Sequence, residues 1–478
     1  MGSEAIMQVL KYVLILLEVL VLFNLLIFVH ELGHFLAARW RGLKVDRFAI
    51  WFGKPLWRKK INGVEYALGC IPAGGYVALP QMAPMDVIEG RSAEGQDPLP
   101  PVTPMDKIIV AVAGPLFSFL LALAFAVVVW IVGRPVNDSD KTTLVGWVDP
   151  TGPAWQAGLR PGDRITEVDG HPVKQFSATS HDSVTWRVVT SEGTNIVMKY
   201  VRDGKEYTAS AVPYRRPTAW YERKAMRQIL IVAAHESVIK SIITNSPAAR
   251  AGLRPGDQVV AVNGTKIYST LSIMDVEASM TNANAGPVTL TILRDGQSQD
   301  VRLAAEKPLR PASAKPSFGI SDWEIRLNNT LIHPTPWEQV KASVSQIVGT
   351  VRAVTSRKSD VSVQQLGGAV MIIRVYTNLF DSPDGWRLVL WFSVVMNVNL
   401  ALLNMLPFPV LDGGHITLSL VELIRRRPVS GRLLNYLQGA CAMLLIGFMI
   451  FIAFFDTGDW VRSARREREE PIVFEAKP

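Results

Sequence analysis

The stretch Phe28–Phe35 places two imidazoles and a carboxylate inside an apolar run that extends from Val13 to Ala38. A run of this length and hydropathy predicts a membrane-spanning helix. Unpaired charged side chains at bilayer depth cost about 2.5 to 3.5 kcal/mol each. Three polar groups so close together therefore require a compensating partner such as a metal ion. The sequence predicts a helix that crosses a membrane and also contains the polar side chains of a functional site.

The spacing of the polar groups indicates which chemistry. His30 and His34 are four residues apart, so in a helix they lie on one face, about 6 Å apart along the axis. At that separation both imidazoles can bind one zinc ion while Glu31 reaches the water bound to the metal. The motif predicts a metalloprotease; a chance match with purely structural side chains remains the alternative until a third ligand is found.

Composition limits the class of protein. The chain has 478 residues, 49% of them hydrophobic, which indicates a membrane protein with a soluble portion. The net charge of +8 does not indicate nucleic-acid binding, because the basic residues flank the apolar runs, where they would meet lipid headgroups. Cys70 and Cys441 are the two cysteines, too few for a disulfide framework or a cysteine-based zinc site.

Four apolar runs predict transmembrane helices at 8–38, 107–133, 385–415 and 432–456. The connections between the first and second helices and between the third and fourth are rich in Lys and Arg, which places both in the cytoplasm. The long segment between the second and third helices, and both termini, then lie outside. The tail, 457–478, is predicted to be a solvated, poorly ordered end.

The segment 39–106 is predicted to be a cytoplasmic loop that contains a β-hairpin. Two strand-like runs within Val64–Leu79 are separated by Pro and Gly residues, which predicts a turn between them. The apolar character of the hairpin favours association with the membrane, where its free edge could pair with an extended substrate. The following Pro-rich, acidic stretch, Pro80–Pro104, is predicted to be mobile.

An internal repeat follows the second helix. The sequence Pro153–Gly170 recurs as Pro247–Gly264, offset by 94 residues, which predicts two copies of one module at 138–215 and 226–308. Its pattern of short helix, Pro-Gly turn, strand and tight turn resembles PDZ domains, which bind peptide ends or extended segments by adding a strand. The linker 309–384 includes an amphipathic helix that could lie on the outer membrane surface or pack on a domain, and we favour the membrane surface.

The third apolar run supplies the missing ligand. Pro407 and Pro409 break the helix near a membrane boundary and allow the chain to turn Asp412 inward. Two imidazoles and one carboxylate leave an open zinc position for water. This chemistry favours Asp412 as the third ligand. His415 is the rival, either as a ligand or as a partner behind the ligands.

Taken together, these motifs resemble one family. Phe28–His34, Ile71–Val77, the tandem modules and Asn404–Gly413 resemble site-2 intramembrane metalloproteases, specifically their bacterial RseP group. The match covers nearly the whole chain. The sequence departs from the group at Leu366–Met371 and at Ala78, which concerns local membrane contacts and not the chemistry.

The resemblance implies a polytopic α-helical protein of the bacterial inner membrane, with four transmembrane helices, a membrane-associated β-hairpin and two extracytoplasmic α+β PDZ domains. It implies that Zn²⁺ is bound by His30, His34 and Asp412 and that Glu31 is the general base. The substrate would be held by Asn404, with Asn399 also a family-like position, and by the hairpin residues Gly74, Gly75 and Tyr76.

The implied activity is cleavage of transmembrane segments of single-span proteins, such as an anti-sigma factor already trimmed by another protease, and remnant signal peptides. The implied partners are that substrate and the lipid bilayer, without nucleic acid. Two other hypotheses remain: a membrane-anchored PDZ scaffold without turnover, and a membrane-tethered protease acting on soluble or misfolded proteins. The last is disfavoured because the ligands lie on two apolar spans.

Overall fold

The structure is a computed structural model that describes residues 3–82, 102–177, 180–280, 286–311, 314–324, 327–382, 384–427, 431–466 and 472–475. The helices are α1 (Ser3–Trp40), α2 (Pro104–Val132), α3 (Pro153–Gln156), α4 (Val184–Thr190), α5 (Pro247–Arg250), α6 (Leu271–Ser279), α7 (Pro336–Thr355), α8 (Ala369–Asp381), α9 (Gly385–Asn404), α10 (Asp412–Arg425) and α11 (Gly431–Arg466).

The strands, also in chain order, are β1 (Arg47–Phe52), β2 (Trp57–Ile61), β3 (Val64–Leu68), β4 (Ile71–Ala78), β5 (Arg134–Asn137), β6 (Val145–Val148), β7 (Arg164–Val168), β8 (His171–Pro172), β9 (Ile196–Arg202), β10 (Lys205–Ala211), β11 (Ile231–Ala233), β12 (Ser237–Ile242), β13 (Gln258–Val262), β14 (Thr265–Lys266), β15 (Val288–Arg294), β16 (Gln297–Leu303), β17 (Ile320–Glu324) and β18 (Leu327–Ile332).

The chain divides into two units. The first comprises Met1–Arg134, Ile332–Ile347 and Gly367–Asp456; the second comprises Pro135–Leu331, Val348–Leu366 and Thr457–Pro478. Among the described residues, four helices are long and apolar enough to cross a membrane: Val9–Trp40, Pro104–Val132, Gly385–Asn404 and Leu434–Ser463. The mixture of helix and strand and these four helices agree with the predicted membrane protein.

The third predicted span, 385–415, contains the break that Pro407 and Pro409 predict. Helix α9 ends at Asn404, and a new helix, α10, begins at Asp412. Pro407 and Pro409 explain the break, because each lacks a backbone N–H and its ring clashes with the preceding turn. Helices α8 and α10 were not predicted. As a result, Asp412 lies in the first turn of a helix and not at the end of one.

The predicted hairpin is wrong, although both of its strands exist. Strands β3 and β4 do not pair with each other; the sheet order is β2-β3-β1-β4, with β1 parallel to β3 and antiparallel to β4. Phe48 and Ala49 of β1 are buried, so the most apolar strand takes the central position between them. The connection at Gly69 passes close to β1, since a Cβ there would lie 2.3 Å from the Phe52 carbonyl oxygen. Most of the Pro-rich stretch predicted to be mobile, residues 83–101, lies outside the described residues.

The second unit contains the two repeated modules. The predicted ends of the modules, 215 and 308, each leave out a strand. In the first module β6 pairs with β11 (Ile231–Ala233), and in the second β12 pairs with β17 (Ile320–Glu324). Each module has its own buried apolar cluster, and the closing segments contribute Ile229 to the first and Phe318 to the second.

Two further expectations concern α7 and the tail. The first half of the amphipathic helix α7 packs in the first unit, because Val340 and Val344 contact a cluster that includes Ala126 of α2; its location on the outer membrane surface stays a prediction. The tail is ordered in part: α11 continues to Arg466, and Phe474 is 5% exposed. Residues 467–471 and 476–478 of the tail lie outside the described residues.

Each module contains a buried aspartate paired with an arginine. Asp257 accepts two hydrogen bonds from Arg294, both at 2.7 Å, and Asp163 binds Arg202 in the same way at 2.6 and 2.7 Å. Burial alone would raise the pKa of the Asp257 carboxyl, but the hydrogen bonds and charges of Arg294 and Arg254 together outweigh burial and hold that pKa below its usual value. The pair therefore stabilises the module above the unfolded pKa of about 3.9, and this contribution is lost as pH falls through the lower folded pKa.

We expect Asp257→Asn to destabilise the second module at pH 7, because it leaves the Arg294 guanidinium without its anionic partner. The measurement is amide hydrogen exchange of β13 and β15 in the full chain. The difference from wild type should shrink below about pH 4. Asp295→Asn, at an exposed turn, is the control. Equal protection of wild type and Asp257→Asn at pH 7 would contradict the role of the pair.

Candidate active site

The histidine pair lies where α1 is buried within the first unit. The Nε2 atoms of His30 and His34 are 3.3 Å apart, and the rings meet edge to face with centroids 4.9 Å apart. The side chains are 9% and 12% exposed. The helical spacing of four residues therefore directs both ring nitrogens to one point, as the sequence predicts.

Helix α2 fixes the orientation of both rings. His34 Nδ1 lies 2.8 Å from the Val110 carbonyl oxygen, and His30 Nδ1 lies 3.0 Å from the Ser118 hydroxyl oxygen. A carbonyl oxygen only accepts hydrogen bonds, so His34 Nδ1 donates its proton there. In a neutral ring, Nε2 of His34 then carries a lone pair, which is the state required of a metal ligand.

Asp412 reaches the same point from the start of α10. One carboxylate oxygen lies 3.2 Å from His30 Nε2 and the other lies 3.3 Å from His34 Nε2. One ligand atom from each of the three residues can be chosen so that all lie within 4.8 Å of one another. The structure thus brings together two residues of α1 and one that follows them by nearly 400 positions.

The donor set fits a zinc ion. The lone pair on His34 Nε2 faces a carboxylate oxygen, and such a contact needs a positive charge, either a proton or a metal ion. Oδ2 of Asp412 is buried and lies 3.2 Å from His30 Nε2 without forming a hydrogen bond among the described residues, which would be costly without a cation. Two imidazole nitrogens and one carboxylate are a ligand set found in catalytic zinc sites, where a fourth position stays open.

Beside these atoms lies a cavity of about 270 Å³. Glu31 lines it together with the three convergent residues, and a Cβ on Gly75 would lie 3.1 Å from Cγ of Glu31. The predicted residues Gly74, Tyr76 and Asn404 line the cavity as well. The carboxylate of Glu31 therefore shares one space with the candidate ligands and with strand β4.

Two predicted polar residues differ in their placement. The amide nitrogen of Asn404 lies 3.4 Å from His30 Nε2, at the edge of the convergent set. Asn399 is absent from the cavity lining among the described residues, and its Oδ1 is buried without a hydrogen-bond partner there. A role for Asn399 in substrate binding stays a prediction.

His415, the rival ligand, lines the same cavity and is 8% exposed. Its Nε2 is buried and has no hydrogen-bond partner among the described residues. The donor atoms that lie close enough together to bind one metal ion nevertheless belong to His30, His34 and Asp412, and not to His415. The geometry therefore favours the carboxylate over the third imidazole.

Among the described residues, strand β4 is paired on one side only, and its other edge is at the site. It is the last strand of the sheet order β2-β3-β1-β4 and pairs with β1 on one side. Residues Gly74–Val77 of this strand line the cavity. An edge strand carries unpaired backbone N–H and C=O groups that can pair with another extended chain. The arrangement can hold an extended peptide next to Glu31.

The sequence reasoning missed the contribution of α2. Ser118 and the Val110 carbonyl orient the histidines, and a Cβ on Gly114 would lie 2.1 Å from His34 Nε2. Gly33 of α1 faces α2 in the same way. A Cβ on Gly33 would lie 2.4 Å from the Ala113 carbonyl oxygen and 3.0 Å from Cβ of Phe117, both in α2. Glycine within an apolar helix indicates close helix packing, and this signal at Gly114 could have identified α2 as the supporting helix.

We expect Gly114→Ala to lower cleavage at least about a hundredfold, because the new methyl group would displace the His34 ring, and a displacement of about 1 Å can cost that much. The measurements are the zinc content and the cleavage rate of the purified variant. Gly447→Ala is the matched control, because none of the described residues lies within 4 Å of the Cβ added at this position in α11. Normal zinc content and normal cleavage in Gly114→Ala would contradict this geometry.

The sequence was also compared with known proteins. The model of peptidase family M50 matches residues 18–448. A candidate zinc metalloprotease of Xylella fastidiosa is 27% identical over 444 residues, covering 90% of this chain and 95% of that protein. A protein of the same description from Neisseria meningitidis is 30% identical over 464 residues, with 90% and 96% coverage. The regulator of sigma-E protease RseP of Salmonella typhimurium is 26% identical over 455 residues, with 91% and 96% coverage.

Proposed function

This chain belongs to peptidase family M50 and is a zinc metalloprotease of the membrane, and from that premise we propose that it cleaves transmembrane segments of single-span proteins within the bilayer. One observation carries the proposal. The convergent donor atoms of His30, His34 and Asp412 lie at helices long enough to span a membrane and at the break that follows one of them. A protease for soluble proteins would not need its reacting groups there.

We propose that His30, His34 and Asp412 hold the zinc ion. When bound, zinc supplies Lewis acidity that activates a water molecule and polarises the scissile carbonyl group. Glu31 accepts the proton from that water and delivers it to the amine that leaves. The placement of Glu31 in the same cavity as the three donors supports this role. Ser118 and the Val110 carbonyl keep the two imidazoles in the orientation that exposes Nε2.

The substrate must be unwound locally before it can be cut, since a helix hides its carbonyl groups in its own hydrogen bonds. The free edge of β4, at Gly74–Val77, offers backbone groups that replace the lost hydrogen bonds. The Asn404 amide lies close enough to the donor set to bind the backbone of the segment beside the scissile bond. In this proposal the edge strand and Asn404 together keep one peptide bond extended in front of Glu31.

The proposed location is the bacterial inner membrane, with the active site towards the cytoplasm. Basic residues between the first two spans and at Arg425–Arg427 support cytoplasmic connections. The two modules of the second unit are then extracytoplasmic. Their repeat and strand patterns support the assignment as PDZ domains, and we propose that they act as a filter against intact, bulky substrates.

The proposed substrate is a single-span membrane protein whose outer domain has already been removed. Relatives named as regulators of sigma-E support an anti-sigma factor, and remnant signal peptides form a second class. The non-catalytic scaffold is disfavoured by the family and by the fit of the donor set to zinc.

A matched pair of single-span substrates tests this proposal in vesicles containing the purified full chain. One substrate carries a folded outer domain, and the other is trimmed to a short outer segment. We expect the trimmed substrate to be cut at least about tenfold faster, and chelation of zinc to stop both reactions. Equal cleavage rates for the two substrates would contradict the proposed role of the modules as a filter. Cleavage that continues after zinc removal would contradict the proposed zinc mechanism.

A further inference from the structure

Helix α11 contributes no donor atom to the candidate metal site, yet it buries one polar side chain beside it. Gln438 is 1% exposed, whereas the preceding residues Tyr436 and Leu437 are 79% and 42% exposed. In the most apolar 18-residue stretch of this helix, 11% of the residues are buried. A buried amide in a helix of this kind is costly unless it has a partner.

The partner of Gln438 is the turn that leads to Asp412. The Nε2 group of Gln438 donates a hydrogen bond to the Pro409 carbonyl oxygen at 3.3 Å. Pro409 lies in the break between α9 and α10, so its carbonyl is not part of a helical hydrogen-bond ladder. Because a carbonyl oxygen only accepts, the amide nitrogen of Gln438 must face it.

The other half of the same amide is unsatisfied. Oε1 of Gln438 is buried and has no hydrogen-bond partner among the described residues. A leucine at this position would have a similar size and would avoid this cost. The amide is therefore retained in spite of a loss of stability, which indicates that the hydrogen bond it donates has a function.

The turn at Pro409 is packed tightly against the first turn of α10. A Cβ on Gly413 would lie 2.3 Å from the Met405 carbonyl oxygen, and a Cβ on Gly414 would lie 2.1 Å from the Phe408 carbonyl oxygen. Backbone segments in such close contact cannot shift independently. A displacement of the turn is therefore passed on to the start of α10.

Asp412 is the first residue of α10, and its carboxylate depends on this backbone for its position. The two imidazoles have their own supports, since His30 contacts Ser118 and His34 contacts the Val110 carbonyl. Oδ2 of Asp412 forms no hydrogen bond among the described residues. The turn that Gln438 holds is thus a support for the third candidate ligand.

We propose that Gln438 is a positioning residue for Asp412, and that its hydrogen bond to the Pro409 carbonyl keeps the carboxylate in place for the metal ion. The inference rests on the proposed function in one respect, namely that Asp412 is a zinc ligand. Gln438 does not line the cavity among the described residues, so its loss should affect metal binding and turnover and not the binding of substrate.

Gln438→Met tests the proposal in the purified full chain, because methionine fills a similar volume but donates no hydrogen bond. Residues that support a metal ligand typically contribute 10-fold to 100-fold to metal affinity or activity. We expect the zinc dissociation constant, measured by competition with a chelating dye, to rise at least about tenfold. The value of kcat should fall at least about tenfold, with KM within about twofold of wild type. The visible absorption spectrum of the Co²⁺-substituted variant should also change.

Two comparisons separate positioning from a general structural role. Asn435→Leu removes an exposed amide from the same helix and should behave as wild type. In the zinc-free protein, Gln438→Met should speed amide hydrogen exchange at Leu411 and Gly414 and leave the exchange of β1 unchanged. These readouts do not require cleavage, so they test Gln438 even if the chain cut no single-span substrate.

Three results would overturn the proposal. The first is wild-type zinc affinity together with a wild-type Co²⁺ spectrum in Gln438→Met. The second is an equal loss of zinc affinity in Asn435→Leu. The third is faster exchange in β1 as well as at Leu411 and Gly414, which would show that Gln438 stabilises the whole unit and not the turn before Asp412.

Discussion

Glu31→Gln should lower the rate of cleavage of a single-span substrate by about a thousandfold or more while leaving one zinc ion per chain. A general base contributes roughly 10² to 10⁴ to the rate of such a reaction. Glutamine has nearly the shape of glutamate but cannot accept the proton, so the cavity beside Gly75 should keep its form. The measurement is the cleavage rate of the purified variant in detergent, together with its zinc content by elemental analysis.

The same helix provides the control for this variant. Glu18 is a second carboxylate of α1 and is exposed, three turns before the donor set. Glu18→Gln removes the same charge from the same helix and should leave cleavage within about twofold of wild type. If Glu31→Gln cut the substrate at the wild-type rate, or if both variants lost activity equally, Glu31 could not be the general base.

Asp412→Ala should release the zinc ion and abolish cleavage. Removing a partner that only orients a ligand typically costs 10-fold to 100-fold in metal affinity, and removing one of three ligands should cost more. We expect the zinc content to fall from one ion per chain to below about a tenth after dialysis against a weak chelator. The protein should remain folded, as judged by hydrogen exchange in the modules of the second unit.

His415 decides between the two candidate third ligands. His415 is three residues after Asp412 on the same helix and lines the same cavity. If the carboxylate is the ligand, His415→Ala should retain zinc under conditions in which Asp412→Ala loses it. The reverse result, with zinc lost from His415→Ala and kept by Asp412→Ala, would exchange the roles of the two residues.

The parts of the site that local patterns determine could be predicted from the sequence. Hydropathy identified the four spans, and the helical repeat placed His30 and His34 on one face. Pro407 and Pro409 indicated the break that turns Asp412 inward. These predictions succeed because each depends on residues that are neighbours in the chain, and the donor atoms then converge as expected.

The parts that depend on distant pairing could not be predicted in the same way. Strand β1 enters between β3 and β4, and the modules close with β11 and β17, which follow long connections. No local pattern specifies such partners, because strand pairing is decided by burial across the whole sheet. The same holds for Ser118 and Gly114, whose importance arises only when α2 lies against α1.

The site of the cut in a single-span substrate tests the central claim most directly. The purified chain is incubated with the trimmed substrate, and the products are identified by mass spectrometry, with Glu31→Gln as the blank. We predict a cut within the apolar segment of the substrate, absent from the blank and absent after zinc removal. Cuts confined to the polar flanks, or cuts that persist in Glu31→Gln, would contradict an intramembrane zinc protease built on His30, His34 and Asp412.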